Sequence, residues 1–103
     1  MPRILVRPLA KQELEAQAEY IARSNPVAGQ RLYAAAEKAL ALLARAPEMG
    51  APWETENPNV SGLRCWPVPG FPNHLIFYPP IDRGIEVTRI LHGAQDIDTL
   101  LGR

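Results

Sequence analysis

The sequence predicts a small α+β domain, ordered β-α-α-β-β-β, in which a helical hairpin packs on one face of a small antiparallel sheet. Three observations predict it. Apolar residues recur at helical spacing through residues 9–45, an Asn-Pro pair divides that stretch in two, and three runs rich in β-branched and aromatic residues follow residue 62. At 103 residues the chain is long enough for one hydrophobic core and too short for two, so residues 1–103 read as a single domain.

The elements follow in order. Arg3-Ile-Leu-Val-Arg7 is a short strand bounded by charge, and Pro8 ends it at a position suited to the first turn of a helix, where a missing N–H costs nothing. From Leu9 to Ser24 the residues Leu14, Ala18, Ile21 and Ala22 fall on one helical face, with Glu15 and Glu19 on the other. Asn25 is a strong N-cap and Pro26 takes the first position of a second helix, which runs to about Arg45. Leu32, Ala36, Ala39, Leu40 and Leu43 give that helix its apolar face, and its alanines allow close approach to the first helix. Pro47 stops it, and Arg45 lies where the negative end of the helix dipole favours a cation. Residues 47–61 form a long loop with Trp53 as its large apolar anchor. The strand candidates are Leu63–Val68, His74–Tyr78 and Ile85–His92, read as a meander. In the last, Ile85, Val87 and Arg89 are expected on one side and Glu86, Thr88 and Ile90 on the other. Asp96 to Leu101 reads as a final helical turn.

Eleven Lys and Arg balance eleven Asp and Glu. Neutralised phosphates supply most of the affinity of a freestanding nucleic-acid binder, so this balance weighs against DNA, RNA or an anionic membrane as partner. The balance is a sum of opposites. Residues 1–47 carry seven bases and four acids, and residues 48–61 carry Glu48, Glu54 and Glu56 with no base. Cys65 is the sole cysteine, which excludes an internal disulfide and a cysteine-only metal site and suits a reducing interior. No run reaches the roughly 20 apolar residues of a membrane span, and the N-terminal apolar stretch is too short for a signal-peptide core. The expectation is a cytoplasmic protein without metal or cofactor.

Few residues carry chemistry. No nucleotide-binding glycine loop, metalloprotease helix or nucleophile elbow occurs. His92, at the end of a strand before Gly93, either shuttles protons or ties the strand end to the backbone. His74 faces the same choice. Arg64 and Arg89 lie inside strands, where a charge must be solvated or paired; each serves either an anionic ligand or the solvated face. Cys65 reads as a packing residue, and Trp53 and Trp66 either stack on bases or anchor a peptide or, the favoured reading, supply bulk to a small core.

Leu63-Arg64, then Phe71-Pro-Asn-His-Leu-Ile-Phe-Tyr78, then Ile85-Glu-Val-Thr-Arg-Ile-Leu-His-Gly-Ala-Gln-Asp96 resemble the C-terminal half of the ParE/RelE toxin superfamily. The two-helix N-terminal half with its Ala46-Pro-Glu-Met-Gly50 exit is similar too, so the likeness covers nearly the whole chain. The Leu91-His-Gly-Ala-Gln-Asp96 ending is its most specific piece and is typical of the ParE branch.

The resemblance implies the toxin of a type II toxin–antitoxin pair, a system associated with plasmid stabilisation, held in a hetero-oligomer with a cognate ParD-like antitoxin. RelE-like members cut mRNA on the ribosome; ParE-like members are associated with inhibition of DNA gyrase. In the RelE-like nucleases an Arg usually stands three positions before the strand Tyr, where this chain has Leu75, and the segment before Arg64 is acidic rather than basic. The ParE-like reading therefore leads, with no catalytic residues and a protein target. The alternatives are an mRNA endonuclease using Arg64 and His92, and a degenerate member that only binds antitoxin and represses. In all three, an antitoxin is expected to contact the helical hairpin and a sheet edge, its acidic residues meeting Arg7, Arg23, Arg31 and Arg64.

Overall fold

The protein is described by a computed structural model covering residues 1–55, 57–58 and 62–102; Glu56 of the acidic loop and Arg103 lie outside the described residues. Strand β1 (Arg3–Val6) leads directly into α1 (Pro8–Ala22), with Pro8 at the first helical position. Asn25 then caps α2 (Pro26–Arg45): its Oδ1 accepts the Ala28 N–H at 3.1 Å, satisfying one of the donors that a helix start leaves orphaned. The expected apolar stripe of α2 is the buried one, comprising Leu32, Ala36, Ala39, Leu40 and Leu43. On α1, Leu14 is buried, while Ala18 and Ile21 pack at the core's margin. The hairpin is tightest at Gly29, where an added Cβ would lie 2.6 Å from the Ala18 carbonyl oxygen and 2.8 Å from the Ala22 Cβ.

Past the loop come β2 (Ala51–Pro52), β3 (Arg64–Val68), β4 (Phe71–Tyr78), β5 (Pro80–Ile81), β6 (Gly84–Val87), β7 (Arg89–His92) and α3 (Ile97–Leu101). Strands β3 and β4 form an antiparallel hairpin turning at Pro69-Gly70, where Gly70 adopts a φ of +82° that favours glycine. Strand β4 therefore begins at Phe71, three residues before the expected His74.

The run from Ile85 to His92 is two strands rather than one. At Thr88 the N–H and Oγ1 both donate to the Phe77 carbonyl, at 3.0 and 3.2 Å, and the chain changes partner. Before it, β6 runs parallel to β1 and antiparallel to β5; after it, β7 runs antiparallel to β4. This break corrects the expected alternation. The irregular residue shifts the parity of side chains, so Ile90 joins Ile85 and Val87 in the core beneath the helices. It also corrects the simple meander, because β1 enters the sheet through a parallel pairing that no local pattern announced. The strand orders are β1-β6-β5 and β2-β3-β4-β7.

The four-stranded part is apolar on both faces. Val68, Ile76, Tyr78 and Ile90 pack under the hairpin. On the far face Leu63, Phe77 and Leu91 form a second cluster with Leu101, margined by Trp53, Leu75, Ile97 and Leu100. Trp53 anchors its loop as expected: its ring meets Phe77 edge-to-face at 5.1 Å, and its Nε1 donates to Asp98 Oδ1 at 3.2 Å. The C-terminal segment is thus folded against the sheet through residue 102, with α3 as its lid.

Candidate functional site

Arg64, at the start of β3, directs Nη1 to the carbonyl oxygens of Glu48 and Gly50, at 3.1 and 2.5 Å. Its register partner Tyr78 is fully buried, donates its hydroxyl to the Pro47 carbonyl at 2.8 Å and accepts the Gly50 N–H at 2.9 Å. Burial raises the phenol's pKa, against the Gly50 hydrogen bond and the nearby Arg64 charge, which lower it. The two side chains together clamp the exit of α2.

His92 lies elsewhere. It ends β7 opposite His74, whereas Arg64 pairs with Tyr78 four residues along β4 and on that strand's other flank. About 13 Å along the strand and two strand spacings across it separate the Cα atoms of Arg64 and His92 by roughly 16 Å. The structure does not bring the two residues of the nuclease alternative into one site. Among the described residues, the sheet face away from the hairpin is covered by apolar side chains of α3 and Trp53 rather than by cations. Cys65, at the margin of that cluster, has its thiol pKa pushed up to about 11 by burial.

Of the remaining candidate cations, Arg23 and Arg31 sit exposed near the hairpin turn, and neither joins an ion pair among the described residues. Arg7 stands at the other end of α1, about 24 Å away along the helix axis, and pairs with Glu86 at 3.0 Å. These three therefore frame α1 from its two ends, and Arg64 belongs to a different part of the molecule.

Arg89 is the cation whose role the sequence left most open. Its Nε and Nη2 embrace the Glu13 carboxylate of α1, the shortest contact being 2.7 Å, and its Nη1 reaches the Leu100 carbonyl near the end of α3. Glu13 also accepts the Ile90 N–H at 3.1 Å. The only available signal was the strand-interior charge itself, which demanded a counterion without naming it.

The outer edges of the two sheets are treated differently. Along β7, side chains occupy the backbone: Glu13 takes the Ile90 N–H, Gln17 donates to the Ile90 carbonyl at 2.8 Å, and Gln95 takes the His92 N–H. Such side-chain pairing closes an edge to other strands. Along β1, Arg3 and Arg7 donate to β6-side carbonyls, so the alternating backbone groups of Ile4 and Val6 face the open edge. Ile4, Leu5, Val6 and the adjoining Leu9 all keep exposed side chains.

Beside β7 lies a cleft of about 470 Å³ between α1 and the strand ends, lined by Ala16, Gln17, Tyr20, Ile21, His74 and His92 among others. The histidine rings meet edge-to-face with centroids 4.9 Å apart. His74 Nδ1 lies 2.6 Å from Gln17 Oε1, and His92 Nδ1 accepts the Ala94 N–H at 3.0 Å, which is the strand-end tie considered for it from sequence. Burial, and then the neighbouring His92, hold the His74 pKa below its ordinary value. Gln17 and Tyr20 carried no sequence signal, because their partners come from the far end of the chain. No group of three or more His, Cys, Asp or Glu among the described residues could hold a metal ion.

A helical hairpin on a sheet, with an open apolar edge strand and its far face closed, is consistent with the RelE/ParE-like fold. Residues 4–97 match the ParE toxin of the type II toxin–antitoxin system parDE, and the chain belongs to that family. No curated relative matches it significantly. No helix among the described residues is long and apolar enough to cross a membrane.

Proposed function

We propose that this protein inhibits growth in the cytoplasm by binding a protein target, DNA gyrase, and that a ParD-like antitoxin neutralises it in a hetero-oligomer. The observation that carries the reading is the second core. The sheet face away from the helices is filled by Phe77, Leu91 and Leu101 and roofed by α3. RNA cleavage by 2′-hydroxyl attack needs a base, an acid and cationic stabilisation gathered at one phosphate, and Arg64 and His92 stand at opposite flanks of β4. A protein-binding toxin needs none of these.

The free edge of β1, with Ile4, Leu5, Val6 and Leu9 exposed along it, supports antitoxin docking by strand addition continuing onto the hairpin. Arg7, Arg23 and Arg31 would meet acidic antitoxin residues, while Arg64 acts through the loop it holds. The test is a supercoiling assay with purified gyrase. Inhibition is expected to rise with the protein's concentration and to be reversed by stoichiometric antitoxin. Unchanged supercoiling at large molar excess refutes the gyrase assignment, and antitoxin affinity that ignores salt refutes the arginine contacts.

A further inference from the structure

We infer that the cleft between α1 and the β4–β7 strand ends is an anchor pocket for a flat aromatic side chain carrying an N–H or O–H donor, a tryptophan or tyrosine supplied by the antitoxin. The inference rests on the toxin–antitoxin reading for the source of the side chain, and on the cleft alone for its chemistry.

The chemistry follows from hydrogen-bond polarity. Gln17 Nε2 donates to the Ile90 carbonyl, so its Oε1 is the acceptor facing His74, and His74 Nδ1 must carry the proton. The neutral ring, whose protonation is disfavoured by burial, then has a bare lone pair on Nε2. His74 is only 8% exposed, yet Nε2 has no partner among the described residues and is not sealed from solvent; the cleft it lines is where that exposure opens. Nε2 is thus a water-accessible acceptor on an otherwise buried ring, and a guest that brings its own N–H or O–H can replace that water without losing the hydrogen bond.

Other ligand classes fit poorly. Among the described residues no Lys or Arg lines the cleft, and the Glu13 carboxylate at its rim is already taken by Arg89, so the lining offers an anion no free positive charge. Metal binding through both rings is opposed by His92. Its Nδ1 accepts from Ala94 N–H, which puts the neutral ring's proton on Nε2 and leaves no lone pair to give. The walls favour an aromatic guest. Tyr20 is 72% exposed, His74 stands edge-to-face with both His92 and Phe71, and Ala16 and Ile21 add apolar surface. At about 470 Å³ the cleft has room for such a side chain together with neighbouring atoms of the segment that carries it.

The experiment has two arms. In the first, the protein alone is titrated with indole and with 1-methylindole, which has nearly the same shape and no donor, while the histidine ring nitrogens are followed by NMR. Indole is expected to move His74 Nε2 and to bind about tenfold more tightly than 1-methylindole. That preference should vanish in His74→Phe, and binding should vanish in Ala16→Trp, which fills the cleft from an exposed helical position without touching the core. In the second arm, intact antitoxin is titrated against the same variants. Affinity is expected to fall about tenfold or more, with unchanged circular dichroism. Equal binding of the two indoles overturns the donor pocket. Donor-selective indole binding alongside undiminished antitoxin affinity in Ala16→Trp overturns the antitoxin as the source. The first arm needs no antitoxin, so its failure is distinct from failure of the toxin–antitoxin reading.

Discussion

Replacing Glu13 by Ala is expected to destabilise the fold strongly. The Glu13 and Arg89 side chains retain only 15% and 12% exposure, and the carboxylate meets both Nε and Nη2 of the guanidinium as well as the Ile90 N–H. Removing one partner of such a pair leaves the other charged and buried, at a cost of about 3–5 kcal/mol. A domain of this size has about 5–15 kcal/mol of stability in all, and its melting temperature should fall by about 15–20 °C. Urea unfolding followed by far-UV circular dichroism, at neutral pH, reads the change. Glu13→Leu combined with Arg89→Met removes both charges, so the double variant should be more stable than the sum of the single losses predicts, by more than about 1 kcal/mol. Arg89→Met should also lower amide-exchange protection in α3, because Nη1 no longer holds the Leu100 carbonyl. A loss below about 1 kcal/mol for Glu13→Ala, or an additive double-mutant cycle, would show that the pair does not join α1 to the sheet as described.

Three further outcomes are expected. Tyr78→Phe leaves the Pro47 carbonyl and Gly50 N–H without their shared partner and should cost about 2 kcal/mol in urea melts. Gly29→Val forces a branched side chain against the Ala18 carbonyl and Ala22, so the hairpin must spread, and the thermal midpoint should drop by more than about 5 °C. Because the folded His74 has a lowered pKa, the unfolded chain binds the extra proton first as pH falls; stability should therefore decline below the ordinary value of 6.5 and level off beneath the folded value. Denaturation midpoints at pH 7.5 and 5.5, compared with His74→Phe, isolate that contribution, and an identical pH slope in the variant would contradict it.

The helices were legible because their signals are local. The cap at Asn25, the proline at position 26, the stop at Pro47 and the stripe from Leu32 to Leu43 each depend on residues within a turn or two of one another. The terminal helical turn could be read for the same reason, whereas the two-residue strands Ala51–Pro52, inside the expected loop, and Pro80–Ile81 add to the expected β-α-α-β-β-β order, because each exists only through its pairing with a distant strand. The split at Thr88 could not, because it follows from where Phe77 offers a carbonyl, and no alternation within Ile85–His92 encodes that. Arg64 illustrates the limit for function: its residue type suits an anion, but the loop carbonyls of Glu48 and Gly50 claim its Nη1 first.

The sequence by itself determined the class of fold, the hairpin and the family. Tertiary structure alone decided which polar groups meet. Glu13 finds Arg89 across 76 residues and Gln17 finds His74 across 57, and β1 finds β6 from the other end of the chain. The physical reason is one of range. Backbone dihedral preferences and hydrophobic period act over a few residues, whereas a buried charge or a free ring nitrogen is satisfied by whatever the completed packing brings within about 3 Å. The neutral net charge already weighed against a phosphate-binding protein. Only the fold showed an open apolar edge, a sealed sheet face and a cleft lined by His74.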